Sequence, residues 1–360
     1  MTTRQSLFVP ITVPAYGDIE MRKSVVRDLV STMNKDREWN TERIQNAIKV
    51  TPFQLGLTNQ LYKCELEKDK MELDEKKFDE LNMEVMVRVF GEGSEEMLNR
   101  EEEIHIMQQV NEDYVKCRFN NGIVVTFFPG ECLRPRALTD SKNMKKIAEK
   151  MAFHHQLVLM NQNNEPSTLN WFSRVNDWIS IIKKKLPDYT LSIPTENLVI
   201  TPNVLQNDLL LLKEYIDKKN YKSYFCHGDV NAENCIYFEK DDSITFIDYE
   251  YACNFFSGFD IGNHFCEYAG VETNLDFKNC FPSEDTRKKF VKYYCEHRYP
   301  NDENAIDKMM EAADDGALLS HFFWGVWGII QSTCSQLEFD FKDYGEKRLF
   351  EFYNIKSSKL

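Results

Sequence analysis

One stretch of this chain concentrates the residue types that phosphoryl transfer needs. In Tyr224–Phe238 an apolar run ends at His227, Asp229 follows after one glycine, and Asn234 opens a second apolar run. A third run, Ile244–Ile247, then delivers Asp248. A carboxylate at Asp229 can orient an attacking hydroxyl and take its proton. The amide oxygen of Asn234 and the carboxylate of Asp248 are hard donors suited to magnesium on nucleotide phosphates. Each of these residues alone reads as an ordinary turn or loop-capping residue. Their joint spacing, H-x-D-x-x-x-x-N and then an apolar strand ending in Asp, points to catalysis. His227 reads as a brace for the loop through hydrogen bonds.

Other residues could serve the two ends of such a reaction. Arg88 sits within the apolar run Val85–Gly91, where a charge is costly to bury without a partner, and Glu103 on the following helix can supply one. Gly56-Leu57-Thr58-Asn59 separates two strand-like runs, and its backbone amides and small side chains can meet phosphate oxygens. With a single glycine, that loop carries little weight alone. Trp324 and Trp327 are three residues apart and share a helix face. Two indoles beside a carboxylate can hold an ammonium ion by cation–π attraction. Periodicity alone favours the plainer reading, an aromatic core stripe.

The elements that must position these residues can be read from periodicity and turn chemistry. An amphipathic helix is expected over Ile19–Asn34, with Met21, Val25, Leu29 and Met33 on one face, and a short one from Thr41 to Ile48. Strands are expected at Val50–Leu55, Gln60–Leu66, Glu84–Phe90, Tyr114–Phe119 and Ile123–Phe128, with a helix at Met97–Val110. The charged segment Glu67–Leu81 reads as a solvated excursion. Beyond Pro129–Pro135 the pattern turns helical: Ser141–Met160, Trp171–Lys185, Val204–Lys219, Asp302–Gln336 and Phe339–Tyr353, with Ser192–Asn203 as a loop. The fold class is therefore α+β. Residues 1–131 would form a small antiparallel-sheet lobe with a helix, and residues 132–360 a larger, mainly helical lobe.

Composition narrows the partners. The 360 residues carry a formal net charge of −14, which disfavours a phosphate backbone and argues against nucleic acid. The 10 cysteines form no C-x-x-C pair and several lie in apolar runs, as buried, reduced thiols would. Pro10 and Pro14 interrupt the only early apolar run, so no signal peptide is read, and no stretch reaches the roughly 18 apolar residues of a membrane span. A cytoplasmic protein is expected.

The motifs together resemble the choline/ethanolamine kinase family. The resemblance is carried by His227–Asn234, by Phe246-Ile247-Asp248-Tyr249-Glu250-Tyr251-Ala252, and by Phe259-Asp260-Ile261-Gly262-Asn263-His264-Phe265. It runs from about Phe53 to Tyr353. It implies a protein-kinase-like two-lobe fold that transfers the ATP γ-phosphate to an amino alcohol with magnesium. Asp229 would be the catalytic base, Asn234 and Asp248 the metal ligands, and Gly56, Thr58, Asn59, Arg88 and Glu103 the nucleotide-binding residues. The amine would lie among Glu250, Tyr251, Glu267, Trp324, Trp327 and Tyr344, with Phe339 nearby. His155, His227 and Asp260 would be structural.

The wording resembles the ethanolamine branch at Leu7–Pro10, Thr58–Tyr62, Phe119–Gly122, Gly130-Glu131, Glu267–Val271 and Glu338–Phe341. Ethanolamine is thus the expected acceptor, on the CDP-ethanolamine route to phosphatidylethanolamine, with choline as the alternative. Another small-molecule kinase or an inactive regulatory homologue are further readings. A homodimer is implied by resemblance only. The chain departs from the family pattern at Leu55, Gly228, Asn231 and Glu233, none of which replaces the base or a metal ligand.

Overall fold

The apolar runs of the first third of the chain pair into one sheet. The strands are β1 (Leu7–Val9), β2 (Ile48–Phe53), β3 (Asn59–Leu66), β4 (Val85–Phe90), β5 (Val115–Phe119) and β6 (Gly122–Thr126), in the order β1-β5-β6-β4-β3-β2. Strands β3 and β5 alternate buried with more open positions, while the central strands β4 and β6 are buried nearly throughout. Tyr62, Cys64 and Leu66 of β3 and Val85, Val87 and Val89 of β4 point into one core. The computed structural model describes residues 7–34, 42–53, 59–71, 75–76, 78, 84–91, 97–160, 170–194, 197–270, 275–335 and 338–360. It divides into two compact units, Met1–Pro129 and Gly130–Leu360.

In the first unit, β2 to β6 pair antiparallel, but β1 lies parallel to β5. The expected antiparallel sheet therefore gains a parallel edge strand, and Pro10 follows its last residue. Helix α1 (Ile19–Met33) is capped by Asp18, which accepts from Glu20 N and Met21 N. Its buried stripe is Val26, Leu29 and Val30, while Met21 is 48% exposed. Steps of four drift round a helix of 3.6 residues per turn, so the face expected from Met21, Val25, Leu29 and Met33 is displaced. Helix α2 (Glu42–Ala47) follows; its expected cap Thr41 lies outside the described residues. The charged 67–81 segment is not wholly solvated either: Met71 and Phe78 are buried in the sheet's core. Helix α3 (Arg100–Val110) begins after the Asn99 cap rather than at Met97.

The second unit is mainly helical. It contains α4 (Ser141–His154), α5 (Trp171–Lys185), α6 (Pro202–Lys219), α7 (Ser257–Cys266), α8 (Glu284–Arg298), α9 (Ala305–Gln331) and α10 (Phe341–Lys359). Helix α4 stops short of Met160, because Gln156 N and Leu157 N bond back three residues, to Phe153 O and His154 O. The stretch expected as a loop is a hairpin, β8 (Leu191–Ile193) with β9 (Leu198–Ile200), turned at Asn197 with φ 49°. It buries Leu191, Ile193 and Ile200. Strand β7 (Glu131–Cys132) pairs with β11 (Cys235–Phe238), β11 with β12 (Ser243–Phe246), and β10 (Ser223–Cys226) with β13 (Cys253–Phe256). Helix α9 is the unit's axis, packed on α7 and α10. A Cβ on Gly262 would meet Ala317 N at 2.2 Å, so α7 and α9 touch backbone to backbone there.

All ten cysteines are free, and seven of them are buried. No helix of the described residues is long and apolar enough to cross a membrane.

Candidate active site

Strand pairing brings the candidate catalytic groups together. The register Cys235↔Phe246 sets the start of β11 against the end of β12, and Ile247 N donates to Asn234 O at 3.0 Å. Asn234, just before β11, and Asp248, just after β12, therefore sit at the same end of one hairpin. Asp248 has φ 67°, a left-handed conformation that Asp tolerates better than most residues.

The loop before β11 folds on its own side chains. Asn234 Nδ2 donates to Asp229 Oδ2 and to Asp229 O, each at 2.9 Å. Both bonds use the amide nitrogen, which leaves Asn234 Oδ1 as the atom able to face a cation. Asn231 Nδ2 donates to Asp229 Oδ1 at 3.1 Å, and Asn231 Oδ1 accepts from Asn234 N at 2.9 Å. Asn231, one of the departures from the family pattern, is thus part of the loop that orients Asp229. Asp229 keeps part of its surface open. Burial, then the charges of Glu267, Asp248 and Glu250, push its carboxyl well above the usual range. Oxygen donors crowded in this way suit a hard divalent cation, which would relieve their repulsion.

Helix α7 carries the loop from beneath. Asp260 accepts from His227 N at 2.7 Å, from Gly228 N at 2.8 Å, and bonds His155 Nε2 at 3.1 Å. Burial alone would raise the Asp260 carboxyl, but its bond to His155, the two histidine neighbours and the Gly228 amide hold it below its ordinary value. One turn on, Asn263 Nδ2 reaches Gly228 O at 3.4 Å and His264 Nδ1 lies 2.8 Å from Val230 O. These three residues follow i, i+3, i+4 spacing and share one helix face. Gly228 has φ 84°, and a Cβ there would stand 2.4 Å from Tyr251 O. Here only glycine fits. His227 Nδ1 accepts from Asp229 N at 3.3 Å, so its Nε2 is the donor to Ile247 O at 3.0 Å. Burial drives its pKa down to about 4, and a neutral ring fits a brace better than a proton carrier.

The aromatic residues gather beside this loop. Tyr251 and Trp324 have ring centroids 5.0 Å apart, Trp324 and Trp327 5.2 Å, and Trp327 and Tyr344 5.9 Å. Trp327 Nε1 donates to Tyr251 Oη at 2.7 Å, and Trp324 Nε1 to Asn263 Oδ1 at 2.7 Å. Phe339 lies 5.9 Å from Tyr344. Glu250 and Glu267 are both buried. Glu267 Oε1 accepts no hydrogen bond among the described residues. Arg174 of α5 holds the backbone here, donating to Tyr251 O at 2.6 Å and Ala252 O at 3.3 Å.

In the first unit, Arg88 and Glu103 pair at 2.6 Å, both side chains buried. Arg100 Nη1 adds a second contact to Glu103 at 2.8 Å, and its Nη2 lies 3.5 Å from Asn59 Oδ1. Two guanidinium groups against one carboxylate leave a net positive charge, which suits phosphate. Gly56 and Thr58 lie outside the described residues.

Sequence reasoning missed Arg100, Arg174, Asn231 as a loop partner, Asn263, His264, Ser320 and Arg348. Asn263 and His264 lay within a motif already singled out. Asn231 and Arg100 have partners within three residues and were legible in principle from that spacing. Arg174, Ser320 and Arg348 carry no local signal, because their partners are remote in sequence.

Comparison with known proteins accords with this geometry. Residues 50–354 match the family model described as Choline/ethanolamine kinase. A probable ethanolamine kinase of Nematostella vectensis is 32% identical over 288 residues, covering 77% of this chain and 81% of that protein. A probable choline kinase 2 of Arabidopsis thaliana is 28% identical over 334 residues, covering 90% and 89%. A Plasmodium vivax ethanolamine kinase structure superposes with a TM-score of 0.76 at 23% identity, covering 97% of this chain and 94% of that one, and shows the protein-kinase-like fold. By these matches the chain belongs to the choline/ethanolamine kinase family: it is an ATP-using phosphotransferase whose acceptor is the alcohol group of a small amine.

Proposed function

We propose that the acceptor is ethanolamine in preference to choline, and that Asp229 is the catalytic base. The observation that carries the choice of amine is Glu267 Oε1, a buried carboxylate oxygen that accepts no hydrogen bond among the described residues, its nearest cation, Arg348 Nη1, standing 3.6 Å away. A primary ammonium brings three N–H donors and can satisfy it, whereas a quaternary ammonium brings none. The indoles of Trp324 and Trp327 and the rings of Tyr251 and Tyr344 would bear on the cation's apolar side, with Glu250 contributing charge. Ethanolamine kinases among the relatives support the same choice.

Asp229, held by two amides, would accept the hydroxyl proton as the oxygen attacks the terminal phosphate of ATP. Asn234 Oδ1 and Asp248 would hold magnesium, which when bound supplies charge neutralisation at the phosphates. Arg88, paired with Glu103, and Asn59 would meet the nucleotide phosphates, as would Gly56 and Thr58. In this reading residues 1–131 serve the nucleotide and residues 132–360 the catalytic loop and the amine. A cytoplasmic homodimer belongs to the same reading, by resemblance to the family.

The test is kcat/KM for ethanolamine and choline, measured side by side with ATP and magnesium. A preference for ethanolamine of about tenfold or more is expected, since a site built for N–H donors rejects an analogue lacking them. A choline preference would overturn the reading of Glu267. Transfer to neither amine, with ATP bound, would favour an inactive homologue.

A further inference from the structure

Arg348 is a fully buried cation that the reading above leaves unused. It lies on α10, one turn beyond Tyr344. A guanidinium in a core is costly to desolvate unless its partners offset the lost hydration. Its Nη2 donates to Ser320 Oγ at 2.7 Å and lies 3.4 Å from Ser320 O. Its Nη1 stands 3.6 Å from Glu267 Oε1, within ion-pair range but too far for a good hydrogen bond. Neither Nη1 nor Nε makes a hydrogen bond among the described residues. The guanidinium also lies 5.2 Å from the Phe277 ring and 5.9 Å from the Tyr344 ring.

The contacts continue toward the indole. Ser320 Oγ donates to Asn263 Oδ1 at 2.7 Å, and the same oxygen accepts from Trp324 Nε1 at 2.7 Å. One cation therefore touches Glu267 and Tyr344 directly and reaches Trp324 through two side chains. A pocket meant for a cation gains nothing in affinity from a second cation, so its presence calls for another explanation.

The groups facing Glu267 are Arg348 and Tyr344 from α10, Asp229 from the catalytic loop and the adjacent Cys266. His321 of α9 lies 3.5 Å from the Cys266 sulfur, and burial, then Arg348, keep its ring neutral. Burial pushes the Glu267 carboxyl up, and Arg348 opposes that push.

We propose that Arg348 is a specificity-determining positioning residue: it balances the charge of Glu267 while leaving Oε1 open to an N–H of the amine, and it fixes the Trp324 indole through Ser320 and Asn263. The inference rests on Glu267 being an amine ligand. A guanidinium at full hydrogen-bond distance would compete with the amine for the oxygen's lone pairs, and no guanidinium would let the carboxyl protonate. The 3.6 Å separation avoids both.

The test uses the full chain with Arg348→Met, Arg348→Lys, Glu267→Gln and the Glu267→Gln/Arg348→Met double variant. For each, kcat and the KM values of ethanolamine, choline and ATP are measured from about pH 6 to about pH 9, around the range in which a carboxyl freed of its cation would titrate. Arg348→Met is expected to raise the ethanolamine KM about tenfold or more at the acid end, since loss of a cation raises a carboxyl pKa by about 1–3 units. The defect recovers as pH rises and Glu267 ionises again. The choline KM rises less, and the ATP KM stays near that of the parent. Arg348→Lys restores the flat pH profile without restoring the ethanolamine KM in full. In the Glu267→Gln background, Arg348→Met adds no pH dependence.

An Arg348→Met variant that is less stable yet keeps the parent ratio of amine KM values and a flat profile overturns the inference. If Arg348→Met does not fold, Arg348→Lys decides: an unchanged ethanolamine-to-choline ratio overturns it. Should Glu267→Gln leave the ethanolamine KM unaltered, the reading of Glu267 itself fails and takes this inference with it. A Glu267→Gln defect without an Arg348 effect sinks the inference alone.

Discussion

Asp260→Asn is the substitution that most directly tests how the catalytic loop is held. The change keeps shape and removes a charge and an acceptor. In the parent, Oδ1 takes Gly228 N, while Oδ2 takes His227 N and meets His155 Nε2. An amide has one carbonyl oxygen, so its NH2 must face at least one of these two backbone donors, whichever way it turns. One buried N–H is then left without an acceptor, at about 1–3 kcal/mol, and the remaining bonds lose their charge assistance. A loss of about 2–4 kcal/mol in unfolding free energy follows. His227 and Gly228 immediately precede Asp229, and a shift of about 1 Å at a reacting group costs about 10²-fold in rate. Urea denaturation gives the first quantity, and kcat at saturating ATP and amine, well below the melting temperature, gives the second. A variant within about 0.5 kcal/mol of the parent and with parental kcat would refute the claim that Asp260 positions the loop.

Three other outcomes follow from the same geometry. Asp229→Asn is expected to lower kcat by at least about 10²-fold with ATP affinity largely kept, which isothermal titration beside steady-state kinetics would check. Tyr251→Phe removes the acceptor of Trp327 Nε1, so stability falls by about 1–3 kcal/mol and the amine KM rises more than the ATP KM. An unchanged amine KM would place Tyr251 outside the pocket. His264 is buried with its pKa lowered to about 4, below the unfolded value near 6.5. The unfolded chain therefore binds the extra proton first, and stability is lost as pH falls from about 6.5 toward 4, by about 2 kcal/mol at pH 5 from this one group. Denaturation of parent and His264→Gln at pH 7 and pH 5 would show a smaller pH difference in the variant.

How much of this could be read from the sequence depended on range. Asp229, Asn234 and Asp248 were legible because their geometry is set by one loop and one hairpin, whose spacing is written contiguously. The Arg88–Glu103 pairing was legible from the cost of a charge on an apolar strand, and the two tryptophans from helical spacing. Arg348 was not, since nothing near it in sequence requires a buried cation and its partners, Glu267 and Ser320, are remote. Helix α7 was hidden because it is only ten residues long, follows directly on β13, and buries its polar face of Asp260, Asn263 and His264 as well as its apolar one. The β8–β9 hairpin was masked by Pro194, which follows β8 immediately and reads as a breaker when it only ends a strand.

Asn263 gives one side chain two tasks: its nitrogen reaches the catalytic loop at Gly228 O, and its oxygen takes Trp324 and Ser320. In the proposed assignment of the amine to Trp324 and of the base to Asp229, acceptor preference and turnover share a common joint. An engineer who replaces Trp324 to admit a bulkier amine also frees the oxygen that keeps Asn263 in register, and the loop loses a support in the same step. Retailoring this enzyme is better begun at Tyr344, whose ring meets the pocket from α10 and has no hydrogen bond to the loop among those described. In that assignment, a change at Tyr344 would alter the amine side without removing a hydrogen bond to the loop among the described residues.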